Sequence, residues 1–215
     1  MALWPEVAGT SLADVIADSG AAATDSVRAT GAALRRLHDL PPDGLVHGSD
    51  AEARARETLR AAEVVDALLP THGARLRRTA DRALELLAAL PGEPPTTTHG
   101  DLKCANVLVD GTGIHLLDFD RSGCADPATD VGKFLADLRW CADGDGPGAA
   151  RLHEAFLEGY GRTDPARLAR AHVHDALLQL RMAARRLPVQ SPDWADRVAR
   201  AVGIAEATLA AEPGP

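Results

Sequence analysis

The chain has 215 residues, 46% of them hydrophobic and only 3% aromatic, and a formal net charge of −8. That length fills one good-sized domain or two small ones, with a core of Leu, Val and Ala. An acidic chain without a basic stripe argues against nucleic-acid binding as its main business; the charge suits solubility first and a cationic small substrate second.

The first fifteen residues lack the basic region and long apolar run of a signal peptide, and no stretch approaches the roughly 20 apolar residues of a membrane span. A short helix is expected over 11–18 with Ser11 as its cap. A second runs over 25–39, with Val27, Leu34 and Leu37 on one face, and ends at Pro41 and Pro42. Asp50 caps a third, which Pro70 stops. A fourth spans 74–90, with Leu76, Ala83, Leu87 and Leu90 at helical spacing and Pro91-Gly92 closing it. Val107 to Val109 and Ile114 to Phe119 then flank Asp110-Gly111-Thr112-Gly113, a good hairpin connection and the one β-like region. Helices resume with Val131, Phe134, Leu135 and Leu138. Leu152, Phe156 and Tyr160 mark another, ended by Gly159 and Gly161. Two more start at prolines: Pro165, with Leu177, Leu180, Ala184 and Leu187 in register, and Pro192, with Trp194, Val198 and Val202. Residues 143–148 and the Pro-Gly-Pro tail read as loops. The expected fold is mainly α, one helical domain with a small β-hairpin in its middle. Cys104, Cys124 and Cys141 are too few and too oddly spaced for a disulfide framework or a CxxC metal site, and read as reduced thiols of a cytoplasmic protein.

Polar residues that do not fit a helix face gather around the hairpin. Asp101 follows His99-Gly100 in a loop, where a carboxylate can orient or deprotonate a hydroxyl; positioned base catalysis is worth about 10²–10⁴-fold. Asn106 offers a hard amide oxygen suited to magnesium. Asp118 ends the second strand, and the hairpin can return it to Asn106, giving an amide and a carboxylate to clamp a metal. Lys103 lies between them, free to neutralise charge on a transferred phosphoryl group. Any one Asp or Asn near a turn is usually a turn former or cap. The joint pattern of HGD, four residues, Asn, an apolar run and LLDF has few chance matches.

His99-Gly100-Asp101-Leu102-Lys103-Cys104-Ala105-Asn106-Val107-Leu108, with Leu116-Leu117-Asp118-Phe119-Asp120, resembles the catalytic and metal loops of the aminoglycoside phosphotransferase and choline kinase family, relatives of protein kinases. The likeness continues in Asp126-Pro127-Ala128-Thr129-Asp130-Val131-Gly132 and, weakly, in GAALRRLHDL (31–40) and FLEGY (156–160). It covers nearly the whole chain, with its specificity in 97–132. The resemblance implies the C-terminal lobe of a protein-kinase-like α+β fold. It implies Asp101 as catalytic base, Lys103 near the γ-phosphate, Asn106 and Asp118 on Mg2+, and His99 and Asp130 as braces of the loop. Leu108 and Leu117 would floor an adenine ring. The cosubstrate would be ATP or GTP and the partner a small-molecule hydroxyl acceptor, first of all an amino sugar or related antibiotic. Gly100 stands where protein kinases usually place the arginine of HRD, and eleven residues separate Asp118 from Asp130, too few for a long activation loop.

Kinase-like enzymes cover the phosphates with a glycine-rich loop on a β-lobe and pair a strand lysine with a helix glutamate. Before residue 97 there is no G-x-G-x-x-G, no GxxxxGK[ST] and no lysine; Lys103 and Lys133 are the only lysines in the chain. Residues 1–12 instead resemble the hinge between the lobes, with backbone near Glu6 and Val7 meeting adenine, and 13–215 the large lobe. The expectation is a chain that starts at the hinge, with the N-terminal β-lobe upstream or lost. A non-catalytic binding module of the same fold is the alternative. A two-metal phosphohydrolase is weaker still, since the further His-rich ligands it needs are absent.

Overall fold

The computed structural model describes residues 8–18, 21–46, 48, 51–142, 146–185 and 190–211. The expected contacts of Glu6 and Val7, the Asp50 cap, Leu187 and the acidic loop at 143–145 fall outside them. The mainly α expectation holds. In chain order the elements are β1 (Thr10–Ser11), α1 (Leu12–Asp18), α2 (Ala21–His38), α3 (Ala51–Leu68), α4 (Pro70–Ala89), β2 (Thr96–Thr98), β3 (Val107–Asp110), β4 (Gly113–Leu116), β5 (Gly123–Ala125), α5 (Ala128–Cys141), α6 (Pro147–Tyr160), α7 (Pro165–Arg185) and α8 (Trp194–Ala210).

Local chemistry sets most boundaries. The Ser11 hydroxyl accepts the Asp14 amide at 3.2 Å and donates to the Asp14 carboxylate at 2.7 Å, capping α1 as expected. Pro70 does more than stop α3: it opens α4 at its first turn, where a missing N–H costs nothing. Pro147 likewise opens α6 inside the expected loop. Gly159 lies within α6 rather than ending it. A Cβ there would sit 1.8 Å from the Arg28 carbonyl oxygen, and one on Gly31 would sit 2.2 Å from that of Phe156. The two glycines let α2 and α6 approach backbone to backbone.

The hairpin forms in the register Val107↔Leu116 to Asp110↔Gly113, around Gly111-Thr112. Asp110 holds the turn through the Thr112 and Gly113 amides, at 2.6 and 2.9 Å. The Thr112 hydroxyl, followed by its amide, brings the Asp110 carboxyl down to about 2. β1 adds a third strand on β3, and β2 pairs with β5 in a second small sheet. Neither pairing was expected, and strand β4 stops at Leu116, with Phe119 in a 3-10 turn beyond it.

Two large buried clusters form most of the core, and a small third one, Ala136, Leu178 and Met182, joins α5 to α7. One joins α1, α2, α5, α6 and the hairpin through Leu12, Val27, Leu34, Val107, Phe134 and Phe156. The other joins α3, α4, α7 and α8 through Val65, Leu76, Leu177, Leu180, Val198 and Val202. Each such side chain contributes about 1.5–3 kcal/mol on burial. Helices α5 and α7 pack together between the clusters, with Gly132 close enough that a Cβ would lie 2.2 Å from the Ala171 carbonyl oxygen. The catalytic-type loop sits above this seam. No described helix is long and apolar enough to cross a membrane.

Candidate active site

The loop 99–106 is tied down from both sides. Asp130, in the first turn of α5 and 1% exposed, accepts the His99 amide at 2.6 Å on Oδ2 and the Gly100 amide at 2.9 Å on Oδ1. Burial alone would raise the Asp130 carboxyl; the hydrogen bond and charge of His38, then the two amides, hold it below the usual carboxylate range. His99 sends Nε2 to the Leu117 carbonyl oxygen at 2.8 Å, and its ring lies 4.7 Å from that of Phe119. These contacts tie His99 and Asp130 to the loop and to the end of the hairpin. Gly100 has φ +78°, and a Cβ there would meet the Arg121 carbonyl oxygen at 2.1 Å. Only glycine passes through this turn without strain.

Asp101 follows, half-buried. Lys103 Nζ lies 3.2 Å from its Oδ2 and Lys133 Nζ 2.9 Å from its Oδ1. Burial pushes the Asp101 carboxyl up, but Lys133 and then Lys103 outweigh it and hold the group below its ordinary value. It is therefore ionised at neutral pH. Lys133 was not singled out from the sequence; its spacing of three from Asp130 places it on the same face of α5.

The hairpin brings the expected metal-binding pair together. Asn106 Nδ2 donates to the Asp101 carbonyl oxygen at 3.1 Å and to Asp118 Oδ2 at 3.3 Å, while the Leu117 amide donates to the Asn106 carbonyl oxygen at 2.9 Å. With Nδ2 so engaged, Asn106 Oδ1 accepts no hydrogen bond among the described residues. Asp118 has φ 65° and is the only described non-glycine residue with positive φ. A left-handed aspartate costs on the order of 1 kcal/mol and persists where the surroundings or a function require it. The pair presents an amide oxygen and an exposed carboxylate, the hard donors that Mg2+ takes. On β3, Val107 and Val109 join the core and Leu108 does not. Alternation thus turns Leu108 to the opposite face of the sheet, and Leu117 also stays outside the core cluster.

Two residues inside the weakly similar segments complete the support. His38 Nε2 lies 3.2 Å from Asp130 Oδ2, and His38 Nδ1 lies 2.7 Å from the Tyr160 hydroxyl. A carboxylate only accepts, so Nε2 carries a proton. Arg167 donates to the Tyr160 oxygen at 3.0 Å and binds Glu93. Their signal in the sequence was the likeness of GAALRRLHDL and FLEGY, which place His38 and Tyr160 without showing that they meet. Cys104 and Cys141 are free, as expected, and the Cys104 amide donates to Asp137 at 2.7 Å.

A family model described as the phosphotransferase enzyme family matches residues 1–170. The chain belongs to that family. No curated protein matches the sequence. Among solved structures, a GDP complex of an aminoglycoside 2′-phosphotransferase matches with a TM-score of 0.64 at 18% identity, over 96% of this chain and 69% of the other. An amicoumacin kinase in complex with AMP-PNP and Ca2+ matches with a TM-score of 0.63 at 19% identity, over 86% and 60%. A choline/ethanolamine kinase family protein from Mesorhizobium loti matches with a TM-score of 0.59 at 24% identity, over 86% and 65%. At such identities these likenesses show a shared kinase-like fold. The chain spans between 60 and 69% of the length of these three proteins.

Proposed function

We propose that the protein is a small-molecule phosphotransferase that moves the γ-phosphate of ATP or GTP to a substrate hydroxyl. The observation that carries this reading is the chain of contacts from Asp101 through Asn106 to Asp118. It links the backbone of the proposed base to the two proposed hard oxygen donors. Family membership and the nucleotide-bound structural neighbours support it.

In this mechanism Asp101 accepts the hydroxyl proton or orients it. The acceptor oxygen bonds to the γ-phosphorus, the bond from phosphorus to the bridging oxygen breaks, and the nucleoside diphosphate leaves. Asn106 and Asp118 would hold Mg2+, which draws charge from the phosphate oxygens when bound. Lys103 neutralises charge on the moving group, and Asp130 with His38 fixes the loop. Leu108 and Leu117 would lie under the adenine ring. The resemblance makes an amino sugar or related antibiotic the first acceptor to try. Asp101→Ala should abolish transfer by the protein as its source cells make it, measured with labelled ATP over an acceptor panel. Unchanged turnover would reject the role of Asp101.

A further inference from the structure

The two lysines of a 215-residue chain converge on one carboxylate. Lys103 approaches Asp101 from the loop. Lys133 approaches from α5, on the side of a cavity of about 110 Å3 between α3, α5 and α7. That is small beside the roughly 300–1,000 Å3 of pockets for drug-sized ligands. Its floor is Gly100 and Asp101, and Lys133, Arg121, His174 and Arg181 stand around it.

The carboxylates lining this cavity are already matched. Asp130 is spent on two amides and His38. Glu57 binds Arg181 at 2.5 Å. Asp101 lies between two ammonium groups. The Arg121 guanidinium, exposed at the rim, has no ion-pair partner among the described residues. A cationic acceptor would therefore find no unclaimed carboxylate among those lining the cavity and would face Lys133 at close range, where like charges repel strongly. An anionic group would find Arg121 unpaired and Lys133 held by Asp101 alone. This local balance runs against a chain of net charge −8, so it does not follow from overall composition.

Resting on the phosphotransferase reading, we infer that the acceptor is a compact hydroxyl compound carrying a carboxylate or phosphate, held by Lys133 and Arg121 with its hydroxyl toward Asp101. A polycationic amino sugar is disfavoured by the same groups. Lys133 thus acts as a specificity-determining residue.

The test is calorimetric binding of four probes to the chain: glycerate, glycerol 3-phosphate, glycerol and kanamycin. The two anions should bind at least tenfold more tightly than glycerol or kanamycin, and whichever binds better tells carboxylate from phosphate. Lys133→Gln and Arg121→Gln should each weaken anion binding at least tenfold, with Lys133→Arg retaining most of it. Asp101→Asn should tighten it severalfold, because it removes the opposing charge and releases both lysines. That gain of affinity is a readout that loss of folding cannot mimic. Kanamycin binding more tightly than the anions, anion binding indifferent to Lys133→Gln, or no anion binding at millimolar concentration would each overturn the inference. Labelled-ATP transfer by the source-cell protein, measured in parallel, keeps the two ideas apart. Transfer to kanamycin that survives Lys133→Gln sinks the acceptor class alone, whereas Lys133-dependent anion binding without transfer to any acceptor sinks the phosphotransferase reading alone.

Discussion

Asp130→Asn keeps the shape of the side chain and removes its charge, so it isolates what the carboxylate does for the loop. Asp130 accepts two backbone amides on different oxygens. An asparagine has one oxygen, and its NH2 must face the other N–H, donor against donor. Leaving one buried amide unmet costs about 1–3 kcal/mol. The surviving amide and His38 contacts fall from charged to neutral hydrogen bonds, at about 1 kcal/mol each. The total is about 3–5 kcal/mol, against a typical folding stability of about 5–15 kcal/mol. At about 2–4 °C per kcal/mol for a protein of this size, the midpoint of thermal unfolding should fall by about 6–20 °C. Circular dichroism at pH 7 measures it. The pH dependence has a definite sign. The folded-state carboxyl is held below its unfolded value, mainly by His38 and the two amides against the opposing effect of burial. Its contribution is therefore full above the unfolded carboxylate pKa of about 4 and is lost as pH falls through the folded one. The gap between wild type and Asp130→Asn should be widest at neutral pH and narrow below pH 4. A fall of less than about 2 °C at pH 7, or a gap constant down to pH 3, would refute the reasoning that a charged acceptor holds the loop.

In Lys133→Gln, Asp101 loses the stronger of the two cations that keep it low. The acid limb of the pH–rate profile should move to higher pH, and an unmoved limb would mean that Asp101 is not the titrating base. Asp118→Ala should weaken nucleotide binding roughly tenfold or more with Mg2+ present, about 1.4 kcal/mol, and leave metal-free binding unchanged. An equal loss in both titrations would reject the metal role. Gly159→Ala drives a methyl to 1.8 Å from a backbone oxygen of α2. It should cost about 1–3 kcal/mol or more, measured as a shift of the urea midpoint; a neutral outcome would show that α2 and α6 can separate without penalty.

The helices were legible because each rests on local signals: apolar residues at three- and four-residue spacing, prolines at first turns, Ser11 as a cap. The errors share a cause. Gly159 reads as a terminator when only its own neighbours are considered, and as a close-packing residue once Arg28 stands opposite it. The strand Thr96–Thr98 is three residues long, too short for a period to show, and its partner Gly123–Ala125 lies 25 residues on; that pairing is tertiary information. The site divides in the same way. Asp101, Asn106 and Asp118 were found because one loop and one hairpin carry them at fixed spacing. Lys133 was passed over because its partner sits 32 positions earlier, and Arg121 because its importance is the lack of one. What sequence spacing conveys is the grouping of Asp101, Asn106 and Asp118. What it leaves out is the charge around the cavity, since that depends on which carboxylates are already taken, and only the folded arrangement of α3, α5 and α7 settles the pairing.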